Sequence, residues 1–467
     1  MTIKLWSDWA IGDQIEQSIL LDASDLALFA EASGHADPRF MPDYDPDGDG
    51  LSEAEAPSLY LLSLFSRVLS ESLTGPGTHI LDVSARFAGV LHRGEILRIR
   101  LSVTQVTADR CLELDFTLAG PQGAIGDGRL TLKAPSRCLP AARPATPRHT
   151  PGARFDRLIA ASRSSEPVFR MAVVCPEDAA SLGGALAARE AGLMQPVLIG
   201  HPEKIDNAAK EAGLNLHGID CLEALDPLEA AKQAVALIRA GEAQGLMKGH
   251  LHTDVFLKPV LDKKHGLRTR RRLSHVFVMD APSLEHLLFL TDAAINIAPD
   301  LTAKVDIVQN AIDLARALGI TKPKVGILSA IETINPAMAS TIDAAILSKM
   351  ADRGQITGGL VDGPLAMDNA VDPEAARTKG LVSQVAGQAD VLVAPNIESG
   401  NMMAKELIFV SRAEAAGIVI GAAAPIVLTS RADSVRTRLA SCAAAIAFSS
   451  WQRTGNALID WTQTDAE

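Results

Sequence analysis

Aromatic side chains are scarce in this chain of 467 residues: four tryptophans, two tyrosines and twelve phenylalanines, 4% in all. With 47% hydrophobic residues, that is the composition of an Ala-rich and Gly-rich soluble α/β protein. An excess of positive charge is also missing. The formal net charge of -12 argues against a nucleic-acid surface. The five cysteines, Cys111, Cys138, Cys175, Cys221 and Cys442, lie far apart without a CxxC pair, and their odd number suits reduced thiols. No apolar run reaches the ~20 residues that span a bilayer; the longest lies around 417–428. The opening MTIKLWSDWAIGDQ has no apolar core of a signal peptide, so a cytoplasmic protein without a membrane partner is expected. A chain of this length exceeds one ordinary core, and two or three domains follow.

What is present divides at residues 139–152, LPAARPATPRHTPG, where Pro, Ala and basic residues replace any periodic pattern. It reads as a linker between a domain over 1–138 and a second over 153–467. Before it, helices are predicted over 23–33 and 57–73, followed by strand-like alternation in HILDVSARFAGV, EILRIRLSVTQVT, CLELDFTLAG and AIGDGRLTLKAP. A central helix with an antiparallel sheet able to wrap it is a hot-dog arrangement. After the linker, strands alternate with helices, the grammar of a mostly parallel, doubly covered sheet. RMAVVCPED, PVLIG, GLMKG, KVGILSA and GGLVDG are the strands, with helices over 179–191, 202–212, 227–240 and 336–351. LSHVFVMD and HLLFLTDAAINIA lie between the two runs with little helix, which predicts an antiparallel excursion.

The most informative stretch is 390–434, DVLVAPNIESGNMMAKELIFVSRAEAAGIVIGAAAPIVLTSRADS. Residues 391–394 have the branching of a buried parallel strand and deliver Asn396, Glu398, Gly400 and Asn401 at its carboxyl end, where open α/β sheets bind ligands. A second apolar run, 425–428, closes on Ser430, Arg431 and Asp433 at the predicted start of a helix over 435–448. Hydroxyl, guanidinium and free helix N–H groups together suit a phosphate. Alone, a Ser-Arg pair there is also an ordinary helix cap with a surface arginine.

These residues, with LMKGHLHT, GLRTRRRLSHVFV, DAAINIAPDLTAK, LSAIETINP, VDGPLAMD and IESGNMMAK in that order, make the region 155–448 resemble the phosphate acetyl/butyryltransferases. The resemblance implies two α/β subdomains with a cleft between them, and acyl exchange between coenzyme A and inorganic phosphate. It implies no tightly bound cofactor and no essential metal: acyl-CoA, phosphate and acyl phosphate are substrates, and relatives are homo-oligomers. Ser430 and Arg431 would hold phosphate. Asp433 is the candidate acceptor of the thiol proton, although the family's aspartate falls in register with Thr437 and an aspartate there also reads as a helix cap. Lys248, Gly249 and Thr253 follow a short strand and allow close backbone approach to an anion. Lys258 stands where acetyl-specific members carry arginine. On an acidic chain the substrate needs a local basic patch, and Arg268 and Arg270 are assigned to coenzyme A phosphates, with Ser274 just after them also in the coenzyme A-binding set. Asn401 and Lys405 complete the candidate set. Glu332, Asn335, Asp362, Asp368, Asn396 and Glu398 are expected at strand ends, where some order the loops by hydrogen bonds.

The first domain resembles MaoC-like enoyl-CoA hydratases through LALFAEASGHADP, TGPGTHIL and RFAGVLHRGEILRI. Where that family has Asp-x-Asn-Pro-x-His, this chain has His35, Asp37, Pro38 and Phe40 in register, so the catalytic Asp and His are replaced. Two readings stand: a rearranged His35–Asp37 pair, or a domain without that acid/base chemistry, which is favoured because a phenyl ring moves no proton. Asp45, Asp47, Asp49 and Gly50 match the opening of a calcium loop, but Glu55 falls one position short of the closing ligand, and Asp-Gly runs also form plain turns. A domain that only senses acyl-CoA, or a working hydratase, remains the alternative to a transferase.

Overall fold

The computed structural model describes residues 8–35, 37–42, 44, 46, 52–107, 109–135, 152–163, 168–429 and 433–461. The chain forms two compact units, Met1–Thr150 and Pro151–Glu467. The calcium-like residues Asp45, Asp47, Asp49 and Gly50, and the site residues Ser430 and Arg431, lie outside the described residues.

In the first unit β1 (Gln14–Leu20) and α1 (Ala23–Ser33) precede α2 (Ser58–Val68), which runs into a wider π turn at Leu69–Leu73. β2 (His79–Phe87), β3 (Ile96–Val106), β4 (Cys111–Gly120) and β5 (Gly123–Lys133) follow. The sheet order is β1-β3-β4-β5-β2, antiparallel throughout. Alternation points Leu97, Ile99, Leu101 and Val103 of β3 and Leu112, Leu114, Phe116 and Leu118 of β4 inward, and the sheet buries Tyr60, Leu61, Phe65 and Val68 of α2. Phe65 meets Phe116 with ring centroids 4.7 Å apart. This is the hot-dog arrangement.

The second unit opens with α3 (Ala153–Ser162), β6 (Arg170–Val174), α4 (Ala179–Glu190), β7 (Gln195–Gly200), α5 (Pro202–Glu211) and β8 (Asp220–Glu223). α6 (Pro227–Ala240), β9 (Gly245–Lys248), α7 (Thr253–Val260), β10 (Ser274–Asp280), β11 (Leu288–Thr291) and α8 (Leu301–Ala317) come next. β12 (Lys324–Leu328), α9 (Ala339–Asp352), β13 (Leu360–Leu365), α10 (Met367–Val371), α11 (Pro373–Thr378), β14 (Val391–Val393) and α12 (Ile397–Lys405) lead to β15 (Glu414–Ile420), β16 (Ile426–Val427) and α13 (Val435–Thr454). No described helix is long and apolar enough to cross a membrane.

All eleven strands belong to one sheet, ordered β13-β12-β14-β11-β10-β15-β16-β9-β6-β7-β8. Its two flanks are parallel, but β10, β15 and β16 pair antiparallel in the middle, so the flanks run in opposite directions. Strand carboxyl ends therefore emerge at both edges of the sheet. One edge receives the ends of β6, β9 and β16; the other receives those of β11, β12, β13 and β14. Helix starts are held by side chains: Asp178 caps α4, Asp226 α6, Asp300 α8, Asn396 α12 and Ser434 α13. α13 buries Ala440 and Cys442 to Phe448 against the sheet.

Candidate active site

At the first edge, β9 lies between β6 and β16, with Val174 opposite Lys248 and Val427 opposite Met247. Cys175, Gly249 and Leu428 thus leave the sheet side by side. A glycine is required at 249: a methyl group there would lie 2.3 Å from the Cys175 carbonyl oxygen and 2.5 Å from that of Val174. The same approach lets the Gly249 N–H donate to Val174 at 2.8 Å and the His250 N–H to Cys175 at 2.6 Å. Lys248 is buried, with its ammonium 3.4 Å from the Gly249 carbonyl oxygen.

Two charged residues tie this edge together. Asp178 accepts the Ser181 N–H at 2.6 Å and also pairs with His250 Nδ1. Burial raises the pKa of Asp178, but the hydrogen bonds from Ser181 and His250 outweigh it and hold the carboxyl below its ordinary value. Arg438, only 3% exposed, donates to Thr429 Oγ1 at 2.9 Å. Its stem crosses α4 where Gly184 leaves room; a methyl group at 184 would lie 2.2 Å from Arg438 Cδ. Burial lowers the pKa of Arg438, opposed by the charges of Asp433 and Asp178. Ser434, not Asp433, caps α13 by accepting the Thr437 N–H at 3.1 Å. The capping alternative for Asp433 thus falls away, and its carboxylate is set against Arg438. Burial, with Glu177 beside it, pushes the Cys175 thiol up to about 12, and burial does the same to Cys442, so neither is a ready nucleophile.

A cavity of about 510 Å³ opens here, lined by His250, Leu251, Val255, Lys258, Leu228 and Asp226. A second, of about 550 Å³, shares Leu228 and Lys258 with it and extends between α6 and α7. Among the described residues no three or more His, Cys, Asp or Glu side chains converge as metal ligands.

Behind the edge, His275 is buried over Gly417 and hydrogen-bonds the Leu428 backbone; burial pushes its pKa down to about 4 against the pull of Asp292. The imidazole is neutral, and its Nδ1 has no partner.

The other edge receives a different part of the predicted set. Arg268 and Arg270 are exposed on a cavity of about 450 Å³ with Arg271, Arg272 and Asn296. Arg271 pairs with Asp313, and the Arg272 N–H donates to Asp306 at 3.0 Å. Ser274 is fully buried and accepts from Asn310 Nδ2 at 2.9 Å, which takes it out of reach of a ligand. Asn401 donates to the Ala293 carbonyl at 3.2 Å and Lys405 is exposed at the end of α12. The structure thus gathers Lys248, Gly249, Thr253 and Asp433 at one edge and separates them from Asn401, because the sheet reverses direction between β9 and β14. Asn396, Asp362 and Glu332 order loops at the second edge through Ser399, Ser383 and Asn369.

A family model described as "Phosphate acetyl/butaryl transferase" matches residues 223–446. A phosphate acetyltransferase of Rhizobium meliloti is 56% identical over 300 residues, 64% of this chain and 95% of that protein. The chain belongs to the phosphate acetyl/butyryltransferase family. A phosphate butyryltransferase of Clostridium beijerinckii is 44% identical over 292 residues, 62% of this chain and 96% of that one. The crystal structure of a branched-chain phosphotransacylase from Enterococcus faecalis superposes with a TM-score of 0.54 at 30% identity, covering 60% of this chain and 99% of that one. Within this family frame, sequence reasoning passed over Asp178, His250 and Arg438. His250 lies inside LMKGHLHT, but its partner Asp178 is 72 residues away and reads locally as a helix cap.

In the first unit, Asp37 is held by Arg39, whose backbone N–H, Nε and Nη2 donate to it at 3.1, 3.2 and 2.7 Å. His35 stacks near Phe40, ring centroids 4.9 Å apart, and its Nε2 is buried without a partner. No hydrogen bond joins His35 to Asp37 among the described contacts, so the rearranged pair is not formed.

Proposed function

We propose that the second unit catalyses reversible transfer of an acetyl- or butyryl-sized acyl group between coenzyme A and inorganic phosphate. The match to a phosphate acetyltransferase along 95% of that protein's length carries this reading. The edge built from β6, β9 and β16 supplies what the reaction needs. Lys248, the Gly249 loop and Arg438 concentrate fixed positive charge where the tetrahedral oxyanion and the phosphate develop theirs. Ser430 and Arg431, directly after Thr429, grip the phosphate, the guanidinium fork matching its oxygens. Coenzyme A extends from this edge past Thr253 and Lys258 along α7, ~12 Å long at 1.5 Å per residue, toward Arg268 and Arg270. Transfer is direct, without an acyl-cysteine, as the raised thiols of Cys175 and Cys442 favour.

The first unit performs no hydration in this reading, since Asp37 is committed to Arg39. The protein works in the cytoplasm as a homo-oligomer. Release of free thiol from acetyl-CoA and butyryl-CoA, measured with and without phosphate, tests the proposal. Phosphate-dependent release is the expected result; binding of acyl-CoA without turnover would instead favour a sensor.

A further inference from the structure

His250, which lines the cavity at the end of β9, pairs with Asp178, and the transfer scheme assigns neither a role. An ionised carboxylate only accepts, so the contact between Asp178 and His250 Nδ1 places the proton on Nδ1. The neutral ring then carries its lone pair on Nε2, at the far edge from Asp178. Asp178 is itself immobilised by the start of α4, and His250 is 44% exposed at a cavity lined also by Leu251, Val255 and Lys258.

From this geometry we infer that His250 is the general base that removes the thiol proton of coenzyme A, with Asp178 as its positioning residue. The assignment rests on the phosphate acyltransferase reading and adds to it the group that handles the proton. In the direction of acyl-CoA synthesis, Nε2 first takes the S–H proton in the coenzyme A complex, and the thiolate sulfur then forms its bond to the carbonyl carbon of the acyl phosphate. The C–O bond to phosphate then breaks, its electron pair stays on the phosphate oxygen, and the imidazolium returns the proton to that oxygen. In reverse, neutral His250 takes the proton of hydrogen phosphate as its oxygen attacks, and the imidazolium protonates the departing thiolate. No other reactant is required.

An imidazole suits this step better than Asp433 does. Histidine is the side chain most often used as a general base near neutral pH, and a carboxylate is a much weaker base toward a thiol. Asp433 faces the buried Arg438 and compensates its charge. The titratable and charged groups around His250 are Asp178 at α4, Asp226 at α6, and His252, Asp254 and Lys258 at α7; Arg438, on α13, acts on Asp178 and Asp433.

The test uses the full chain as wild type, H250Q, D178N and D433N, with acyl phosphate and coenzyme A, between about pH 5.5 and 9, spanning the imidazole range. H250Q is expected to lose about a hundredfold or more in kcat, the usual contribution of a general base, with KM for coenzyme A little changed. The ratio of wild-type to H250Q rates, in which substrate ionisations cancel, falls toward acid pH, where protonation removes the base. D178N reverses the tautomer and loses the same acid limb, whereas D433N is slower but retains it. Coenzyme A binding to the wild type produces far-ultraviolet thiolate absorbance that H250Q lacks. A wild type that forms the thiolate but exchanges no acyl group would leave His250 as the base and remove the transferase reading. A kcat for H250Q within about tenfold of wild type, below the general-base range, a pH-independent ratio, or equal thiolate absorbance in H250Q would overturn the inference.

Discussion

His35 and His250 each lie near an aspartate, and their fates differ. His35 is two positions from Asp37, yet the carboxylate is taken by Arg39 and the ring packs with Phe40. His250 is 72 residues from Asp178, yet the two pair at the mouth of a cavity. Proximity along the chain therefore says little about a working pair. What matters is whether the fold leaves the carboxylate without a stronger local competitor, and a guanidinium two residues away is such a competitor.

Four tests sharpen or break this contrast. The largest effect is expected from Gly249→Ala. Its methyl group meets two backbone oxygens that cannot move without parting β6 from β9, so a loss of more than about 3 kcal/mol in denaturant titration is expected, with activity abolished. Next is Asp178→Ala, which removes both the cap of α4, about 1 kcal/mol, and the orientation of His250. Acyl transfer should fall about a hundredfold while circular dichroism shows a folded protein. Third is acid stability. His275 stays neutral in the folded protein down to about 4, whereas the unfolded chain takes up its proton near 6.5. Between those values the unfolded state binds more protons, so stability falls as pH falls, by up to about 3 kcal/mol, and is unaffected above that window. Urea melts at several pH values check this, and His275→Asn should flatten the slope. The smallest effects belong to the first unit: His35→Ala and Asp37→Ala should leave phosphate-dependent thiol release unchanged, and crotonyl-CoA absorbance should stay constant with or without them. Hydratase activity abolished by His35→Ala would erase the contrast.

Much of the fold was legible because its signals are local. The helix expected over 227–240 is α6 to the residue, since Asp226 and Pro227 mark its start and Gly241 its end, and Ser434 fixes the start of α13 at Val435. The helix expected over 57–73 continues through the π turn at Leu69–Leu73. α8 was missed although Asp306, Gln309, Asp313 and Arg316 recur at helical spacing along it; Lys304 and Asn310, buried among its apolar residues, blur the opposite face. β1 was missed because QIEQSIL, on a sheet edge, carries few apolar residues. At the site, Lys248 and Gly249 were singled out from motif order and Asp433 from its place just after Arg431, and the antiparallel excursion at β10 was expected. Its consequence was not: the strand reversal there sends Asn401 to the opposite edge, and pairing registers are a tertiary property. Arg438 and Asp178 were invisible for the same reason, as each looks like an ordinary helix residue until α13 and α4 pack.

The placement of β16 bears on biosynthesis. The wall carrying Gly249 and His250 is translated long before the one carrying Thr429 and Asp433, and β16, which lies between β9 and β15 in the sheet, follows β10 to β15 in the chain. A nascent chain halted anywhere between would hold the residues that line the cavity but lack Thr429, Asp433 and Arg438. Competence thus arrives late, with the return strand.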